Sequence, residues 1–264
     1  MATKFARGIL LAGILLFSAA CLLYFPDDNW SFPSRVFQQS VSLDPGGAVS
    51  LTSETGYIEI RGWDQKRVEI TAEENWFPAF GPQLWFSHGS MSPPRVEVDT
   101  FDNFVKIVTR ATSRETIVRP VHYSLRVPHS VILRTISNKE GDLRIADVYG
   151  EIRAEIARGD IRIENCSGSL DLSLDQGSVE AELLDVHPDD EIKITVQEGD
   201  ITLFLQPEAN IAIEAAALGG RFSSEFDLGQ PLTGRKIQTR IGKTEGATVS
   251  LTTLSGNISL KKTK

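Results

Sequence analysis

The feature that most constrains this chain is a glycine that recurs every nine residues through its middle part. The glycines head segments of one pattern, GDLRIADVY, GEIRAEIAR, GDIRIENCS, GSLDLSLDQ and GSVEAELLD, and they are Gly141, Gly150, Gly159, Gly168 and Gly177. A fixed period of this kind is typical of stacked structural units, because each unit can bury its apolar face only against a neighbouring copy.

Each unit is predicted to be a short β-strand with one buried face. Apolar residues fall two and four positions after the glycine, as Leu143 and Ile145 do after Gly141, and polar residues such as Arg144 lie between them. This alternation has the period of two that places successive side chains on opposite faces of a strand. The glycine then marks the turn that precedes the strand.

The units alternate in kind. A third apolar residue lies seven positions after the glycine in two of them (Val148 and Cys166) and six positions after it in the two others (Ile156 and Leu174). The structural repeat is therefore predicted to be 18 residues, with two unlike strands in each coil. Since Cys166 occupies the slot of Val148, we expect a buried, unreactive thiol.

An 18-residue coil makes two specific predictions about contacts between coils. Leu143, Ile161 and Val179 should form one buried column of parallel strands. Arg153 and Asp171 should stack as an oppositely charged pair on the outer face.

Looser copies of the unit begin at Gly56, Gly199, Gly220 and Gly256, and intervals near 21 to 22 residues in the later part indicate longer turns. We therefore expect an all-β fold, a β-solenoid or β-roll with about 18–22 residues per coil, preceded by one N-terminal hydrophobic helix. An antiparallel β-sandwich is the alternative, because alternation alone also fits that class.

The N-terminus has the order of charges expected for a signal or a membrane anchor. Lys4 and Arg7 precede an apolar run over residues 8–25, and acidic residues follow it. The run has the length of either a short spanning helix or a long secretory segment. Cys21 follows small residues as at a bacterial lipoprotein acylation site. An uncleaved anchor, cleaved secretion and lipidation at Cys21 all remain open.

The charge of the exported part limits the partners it can have. Residues 1–25 contain no acidic residue, so removing Lys4 and Arg7 leaves 25 basic and 35 acidic residues, a net charge of −10. Nucleic acid and anionic lipid both require a basic surface, so no nucleic-acid partner is expected. The two cysteines, Cys21 and Cys166, cannot supply a framework of disulfides.

At this point the chain resembles a known family, the "putative adhesin" domains of bacterial envelope proteins, which are predicted to be β-helical and mostly have no assigned function. The matching residues lie in TGYIEI with GWD (residues 55–64), VEI (68–70), YSLRVP (123–128), the glycine-headed strands from 141 to 205 and LSGNISL (254–260). The resemblance covers roughly residues 48–262. It implies architecture and location in the envelope more than an activity.

The domain organisation follows from these patterns. Residues 1–25 are predicted to be the signal or anchor, 26–47 a linker and lead-in segment, and 48–262 the adhesin-like β-solenoid. An insertion over residues 75–94 interrupts the strand pattern with five large aromatics, Trp76, Phe77, Phe80, Trp85 and Phe86. We expect this loop either to contact a partner or to cap an open end of the coil stack.

The residues that could carry chemistry do not form a recognisable site. The histidines, His88, His122, His129 and His187, lack the spacing of a metal pair. The acidic residues after the glycines, Asp142, Glu151, Asp160 and Asp200, lack the pattern of calcium-binding nonapeptides and are interpreted as a solvated face. No P-loop, dinucleotide fingerprint or nucleophile elbow occurs. No catalytic residue, metal or cofactor is therefore predicted.

Two hypotheses about function remain. The first is a non-enzymatic binding or structural protein of the bacterial cell envelope, outside the cytoplasm, held at the membrane through residues 8–25 or secreted, with an envelope protein or glycan as partner. The second is a carbohydrate-active enzyme on a β-helix, although Glu180 and Glu182 have no catalytic partner that the sequence identifies. A groove of clustered Asp, Arg and Lys would favour the enzyme, and evenly mixed charge would favour the binding protein.

Overall fold

The structure is a computed structural model, and it describes residues 35–74, 95–110, 120–229, 235–242 and 245–263. All regular elements in these ranges are β-strands. In chain order they are β1 (Arg35–Ser42), β2 (Ala48–Thr55), β3 (Ile58–Trp63), β4 (Arg67–Glu74), β5 (Arg95–Phe101), β6 (Phe104–Arg110), β7 (Val121–Pro128), β8 (Ile132–Glu140), β9 (Leu143–Ala146), β10 (Ile152–Arg158), β11 (Ile161–Ser167), β12 (Leu170–Gln176), β13 (Val179–Asp185), β14 (Glu191–Glu198), β15 (Ile201–Leu205), β16 (Ile211–Ala217), β17 (Phe222–Ser224), β18 (Lys236–Ile241), β19 (Ala247–Ser255) and β20 (Ile258–Lys262).

The strands form two ten-stranded sheets. Sheet A has the order β1-β4-β7-β3-β9-β11-β13-β15-β20-β17, and sheet B has the order β18-β16-β19-β14-β12-β10-β8-β2-β6-β5. From β8 to β15 the chain passes alternately from one sheet to the other, so each coil gives one strand to each sheet. The pairing between successive coils is parallel, and the antiparallel sandwich is therefore wrong for this part of the chain.

The predicted 18-residue coil is confirmed in the middle of the stack. Ile161 pairs with Leu143 on one side and with Val179 on the other, and all three side chains are buried in one column of sheet A. In sheet B, Arg153 pairs with Asp171, and their charged groups lie 3.3 Å apart. The next coil is four residues longer, because Leu170 pairs with Ile192.

The hydrophobic core lies between the inward faces of the two sheets. Every second residue of the central strands is buried, as in β10, where Ile152, Ala154 and Ile156 point inward and the residues between them face solvent. Cys166 lies in this core beside Val148, as predicted. Since each coil covers only its two neighbours, the core is continuous along the stack.

The order of coils along the stack differs from their order along the chain at both ends. At one end β3 lies between β7 and β9, and β2 lies between β6 and β8. At the other end the last coil, β19 and β20, lies between the coil β14–β15 and the coil β16–β17. The copies at Gly199 and Gly220 are therefore not neighbours, because the copy at Gly256 lies between them.

Antiparallel strands close the two ends. β4 pairs antiparallel with β7 and with β1, and β5 pairs antiparallel with β6. At the other end β18 pairs antiparallel with β16. Phe226, Leu228 and Ile237 are buried there, so this end is covered by residues that follow β17 and by β18. A solenoid needs such caps to hide its terminal core.

Several predictions fall outside the described residues. These are the N-terminal hydrophobic helix, the membrane segment at residues 8–25, Cys21, and the aromatic residues Trp76, Phe77, Phe80, Trp85 and Phe86. In the described ranges no helix has the length and apolar character needed to cross a membrane. β1 lies within the segment predicted as linker and lead-in.

Candidate interaction surface

The stack has two lateral edges, formed by the turns that join the sheets. The glycine edge contains the turns from sheet B to sheet A, at Gly56, Gly141, Gly159, Gly177, Gly199, Gly220 and Gly256. The variable edge contains the turns from sheet A to sheet B, which differ in length and composition, and the turn that joins β3 to β4 within sheet A. The nine-residue period places alternate glycines on opposite edges, so Gly150 and Gly168 lie on the variable edge.

The glycine edge is held together by backbone contacts between coils. Gly159 has φ +133°, and a Cβ at this position would lie 2.4 Å from the carbonyl oxygen of Gly141. The amide of Gly159 donates to the carbonyl of Gln176 at 3.0 Å in the next coil. A side chain is excluded here for two reasons, the positive φ and the close approach of the neighbouring turn.

The acidic residues after these glycines have a structural role that the sequence did not reveal. The Asp142 carboxylate accepts a hydrogen bond from the Asp160 amide at 2.9 Å, and the Asp160 carboxylate accepts one from the Ser178 amide at 2.8 Å. Asp200 accepts from the amide of Asn257 in the same way, at 2.7 Å. Each side chain thus satisfies a turn amide of the next coil, which makes the row a ladder of side-chain-to-backbone bonds.

Glu151 lies on the other edge and is paired with Arg153 at 3.2 Å. In the described ranges, no three His, Cys, Asp or Glu side chains are grouped so that they could hold a metal ion.

Two arginines flank an aromatic ring on the variable edge. Trp63 ends β3, and the guanidinium groups of Arg67 and Arg126 lie 5.0 and 5.8 Å from its ring centroid. Glu69 holds both arginines, at 2.8 Å from Arg67 and 3.8 Å from Arg126. The indole NH of Trp63 donates to the carbonyl of Arg67 at 3.0 Å. These contacts fix the ring and position the two cations around it.

A second aromatic pair lies in the adjoining turns. The ring of His129 stacks on that of Tyr149, with centroids 4.9 Å apart, and His129 Nδ1 donates to the carbonyl of Asp147 at 2.6 Å. The other ring nitrogen of His129 lies 3.5 Å from Asp64 Oδ1. Tyr149 is 41% exposed, so part of its ring is accessible to solvent.

Gly62 is the residue that permits this packing. A Cβ at position 62 would lie 1.8 Å from the carbonyl oxygen of Asp147 and 2.7 Å from His129 Nδ1. Three turns that neighbour one another in the stack, after β7, β3 and β9, can therefore meet. We call the resulting group the aromatic corner, and its residues are Arg61, Trp63, Asp64, Arg67, Glu69, Arg126, His129, Asp147 and Tyr149.

The outer face of sheet A carries mixed charge. Arg144 pairs with Glu164 at 2.6 Å and Arg162 pairs with Glu180 at 3.1 Å. The hydrogen bond to Glu164 raises the pKa of Arg144. Glu180, one of the two carboxylates considered for hydrolysis, is thus committed to an ion pair between coils. Alternating acidic and basic side chains favour the first functional hypothesis over the second.

Burial governs the properties of Cys166. Its side chain has no exposed surface, and desolvation raises its pKa to about 11. The thiol lies 3.2 Å from the carbonyl oxygen of Glu164, to which it donates a weak hydrogen bond. A thiolate is the reactive form of cysteine, so this geometry agrees with the predicted inert thiol.

Sequence reasoning placed the contact residues in the segment 76–86, which lies outside the described residues, and missed the aromatic corner. Trp63 and Asp64 are part of the motif Gly62-Trp63-Asp64 that carried the family resemblance, and this was the available signal. His129 and Tyr149 gave no signal, because each is a single residue in a turn and their contact depends on the packing of separate coils.

The fold and surface define a repetitive all-β protein with parallel stacked strands. Residues 133–261, from β8 to β20, match the family model Toastrack DUF4097. The resemblance to adhesin domains of unknown function is thereby confirmed. Among curated proteins, none matches the sequence.

Three solved structures are similar in architecture. A "putative cell adhesion protein" from Clostridium sporogenes has 12% identity and a TM-score of 0.47, covering 87% of this chain and 100% of its own. A "putative adhesin" from Bacteroides fragilis has 12% identity and a TM-score of 0.30, and one from Parabacteroides merdae has 10% and 0.32. Both of these cover 87% of this chain and 97% of their own. All three are remote similarities.

Proposed function

We propose that this protein is a non-enzymatic binding module of the bacterial cell envelope, a β-solenoid outside the cytoplasm that recognises an envelope glycan at the aromatic corner. The single observation that carries the proposal is the meeting of Trp63, His129 and Tyr149 on an edge whose turns do not repeat. A scaffold of uniform coils provides rigidity, and the non-repeating residues on it are the ones available for recognition.

The chemistry of the aromatic corner suits a glycan better than a protein. Its three arginines and three carboxylates give the corner no net charge. It therefore attracts neither strongly anionic nor strongly cationic ligands. Tyr149 offers an exposed ring face to the C–H groups of a sugar, and Asp64, whose side chain is 97% exposed, offers hydrogen-bond acceptors to its hydroxyls. A protein interface would be expected to have a larger apolar centre.

The location outside the cytoplasm is supported by the N-terminal sequence. Lys4 and Arg7 before an apolar run, with acidic residues after it, orient such a segment with its N-terminus inside and the following domain outside. The net charge of −10 after residue 25 agrees with a partner that is not nucleic acid.

Binding to purified bacterial cell-wall sacculi tests the ligand class. The full chain in a mild detergent should sediment with the sacculi, and Tyr149→Ala and Asp64→Ala should each weaken the binding at least about tenfold, an effect of roughly 1.4 kcal/mol. Leu254→Ala is the matched control, because Leu254 is an exposed apolar residue, 50% accessible, near the end of β19 at the glycine edge. Its binding should be unchanged.

Protease treatment of the sacculi separates the two partner classes. Binding to a glycan survives the treatment, whereas loss of binding would identify a protein partner and overturn the glycan assignment. Release of new reducing ends from the sacculi, abolished by Glu180→Gln or Glu182→Gln, would instead establish the carbohydrate-active enzyme.

The location is tested by adding protease to intact spheroplasts and by measuring the mass of the native N-terminus. An external domain is degraded while a cytoplasmic marker is retained. An intact N-terminus indicates an anchor, a start near Cys21 indicates cleavage, and a mass increase on Cys21 indicates lipidation. Protection of the domain from protease would contradict the proposal.

A further inference from the structure

Sheet B ends in two strands that each have a single described neighbour. β5 lies at one end of the sheet and pairs only with β6, and β18 lies at the other end and pairs only with β16 among the described residues. The outer backbone groups of such end strands are a template for pairing with another strand.

The outward side chains of these two strands have opposite charge. In β5 and the turn that follows it, Glu97, Asp99 and Asp102 outnumber Arg95. In β18 and the residue before it, Arg235, Lys236 and Arg240 are all basic, and no acidic residue accompanies them. The three basic side chains are exposed.

The basic residues near β5 lie farther from the edge. Arg110 pairs with Glu97 at 2.5 Å, and Lys106 is the register partner of Asp99, but both belong to β6. A strand added at the edge would lie about 4.8 Å from β5 and twice as far from β6. Glu97 is compensated by Arg110 and by Arg95, which lies 3.9 Å from it, so Asp99 and Asp102 supply most of the acidic charge that an incoming strand meets.

The inward side chains of the two strands are also complementary. Val96 and Val98 of β5 are only partly buried against the core, and Ile237 and Ile241 of β18 retain 6% and 7% exposure. Joining the ends would bury the remaining apolar surface of all four residues, which favours association.

The strand directions permit a continuous sheet between copies. β5 runs antiparallel to β6 and β18 runs antiparallel to β16, whereas β6 and β16 share the direction of the stack. If two copies are related by translation along the stack, β18 of one therefore lies parallel to β5 of the next, as the central strands lie to each other.

We propose that β5 and β18 are the two halves of a head-to-tail interface through which copies of this chain assemble end to end, each sheet B continuing into the next. A head-to-tail contact between copies related by translation does not close on itself, so the assembly grows beyond the dimer into a linear chain. This inference does not depend on what the aromatic corner binds.

The sign of the charges distinguishes this role from simple protection of the edges. Charged residues often prevent edge strands from pairing, and like charges at β5–β5 or β18–β18 contacts would do so here. Opposite charges at the two ends leave the β18–β5 contact attractive. The same residues therefore exclude head-to-head pairing and select head-to-tail pairing.

Sedimentation velocity of the full chain in mild detergent tests the proposal. Mass should grow with protein concentration through dimers and larger species, and the association should weaken with added salt. A Lys236→Glu/Arg240→Glu variant should associate at least tenfold more weakly. Adding Glu97→Lys/Asp99→Lys to that variant should restore association, because the charges are exchanged rather than lost.

A zero-length carbodiimide, which joins an amine to a carboxylate only when they are in contact, locates the interface in the native protein. We expect Lys236 to be joined to Glu97 or Asp99 of another copy. The matched control is Lys193→Glu/Arg158→Glu, which changes the net charge equally at exposed residues of β14 and β10, away from both end strands. This control should associate normally, and all variants should keep the native melting temperature within a few degrees.

A native chain that stays monomeric at all concentrations, or a control that weakens association as much as the β18 variant, overturns the proposal. So does a fourfold charge-exchange variant that folds but does not associate. Sacculus binding should be unaffected by Lys236→Glu/Arg240→Glu, and association should be unaffected by Tyr149→Ala, so failure of either inference leaves the other intact.

Discussion

The two edges of the coil stack are built from the same repeat in different ways. At the glycine edge, the turns touch through backbone atoms, as when Gly159 contacts Gly141, and Asp160 bonds to the next coil. At the variable edge, backbone bonds also join neighbouring turns, as the His129 amide donates to the Trp63 carbonyl at 3.2 Å, but the turns differ in length: those after β3 and β13 span residues 64–66 and 186–190. An edge whose turns repeat closely cannot vary, whereas an edge whose turns differ in length and composition can carry recognition.

Insertions should show the largest difference between the edges. Adding Gly-Ser-Gly between Gly177 and Ser178 separates a turn amide from its acceptor, Asp160, and shifts the register of β13. We expect a loss of at least about 4 kcal/mol in the free energy of unfolding, or no cooperative unfolding at all. The same insertion between Pro188 and Asp189 should cost less than about 1 kcal/mol, because loop closure depends weakly on length.

Urea denaturation of both insertion variants measures this difference. Equal destabilisation at the two edges would show that the variable edge is as constrained as the glycine edge, and the comparison would fail.

Adding a single methyl group to a glycine of the glycine edge should have the next largest effect on the free energy of unfolding. Gly159→Ala places a Cβ 2.4 Å from a backbone oxygen at a positive φ, so we expect a loss of about 3 kcal/mol or more. Gly229→Ala is the matched control, since Gly229 also has a positive φ, of +63°, but no atom lies within 4 Å of the added Cβ. It should lose about 1 kcal/mol. Similar losses in the two variants would mean that φ, rather than contact between coils, explains the glycine.

Cys166 tests whether the core beneath the variable edge is dry. Its folded pKa of about 11 exceeds the ordinary thiol value of 9.0, so the unfolded chain loses the thiol proton first as the pH rises. The contribution to stability is complete below pH 9 and is lost as the pH approaches 11. At pH 10 the wild type should have lost about 1 kcal/mol that a Cys166→Val variant keeps.

Unfolding curves of the two proteins at pH 8 and pH 10 give this value. Rapid modification of Cys166 by a thiol reagent in the folded protein at pH 8 would show that water reaches the core at this edge.

The side-chain ladder of the glycine edge should give the smallest effect. Asp160→Ala removes the acceptor of the Ser178 amide, and we expect a loss of about 0.5–1 kcal/mol because the site is exposed. Asp160→Asn should retain most of the stability, since Asn257 holds the amide of Arg221 in the same way, at 3.1 Å. Asp189→Ala, at an exposed position on the variable edge, is the control. If Asp160→Ala had the same free energy of unfolding as the wild type, the ladder would not contribute to the stability of the glycine edge.

The sequence by itself determined the middle of this protein. The interval between Gly141 and Gly159 predicted the coil length, and the alternation around Ile161 predicted the buried face. Arg153 and Asp171 are separated by the same interval as those glycines, which predicted their contact. These properties are local, because a repeat makes neighbours of the residues that occupy the same position in successive coils. The rest of the chain does not change this. Period and face are then sufficient to predict which side chains meet.

Only the tertiary structure decided the ends and the recognition surface. β19 and β20 enter the stack between coils that precede them in the chain, and the aromatic corner joins Trp63, His129 and Tyr149 from turns far apart in sequence. The physical reason is that any strand of the right period can add to any open coil, so the period does not specify the order of addition. That order depends on which apolar ends must be covered and on which turns, such as the one at Gly62, leave room for a neighbour.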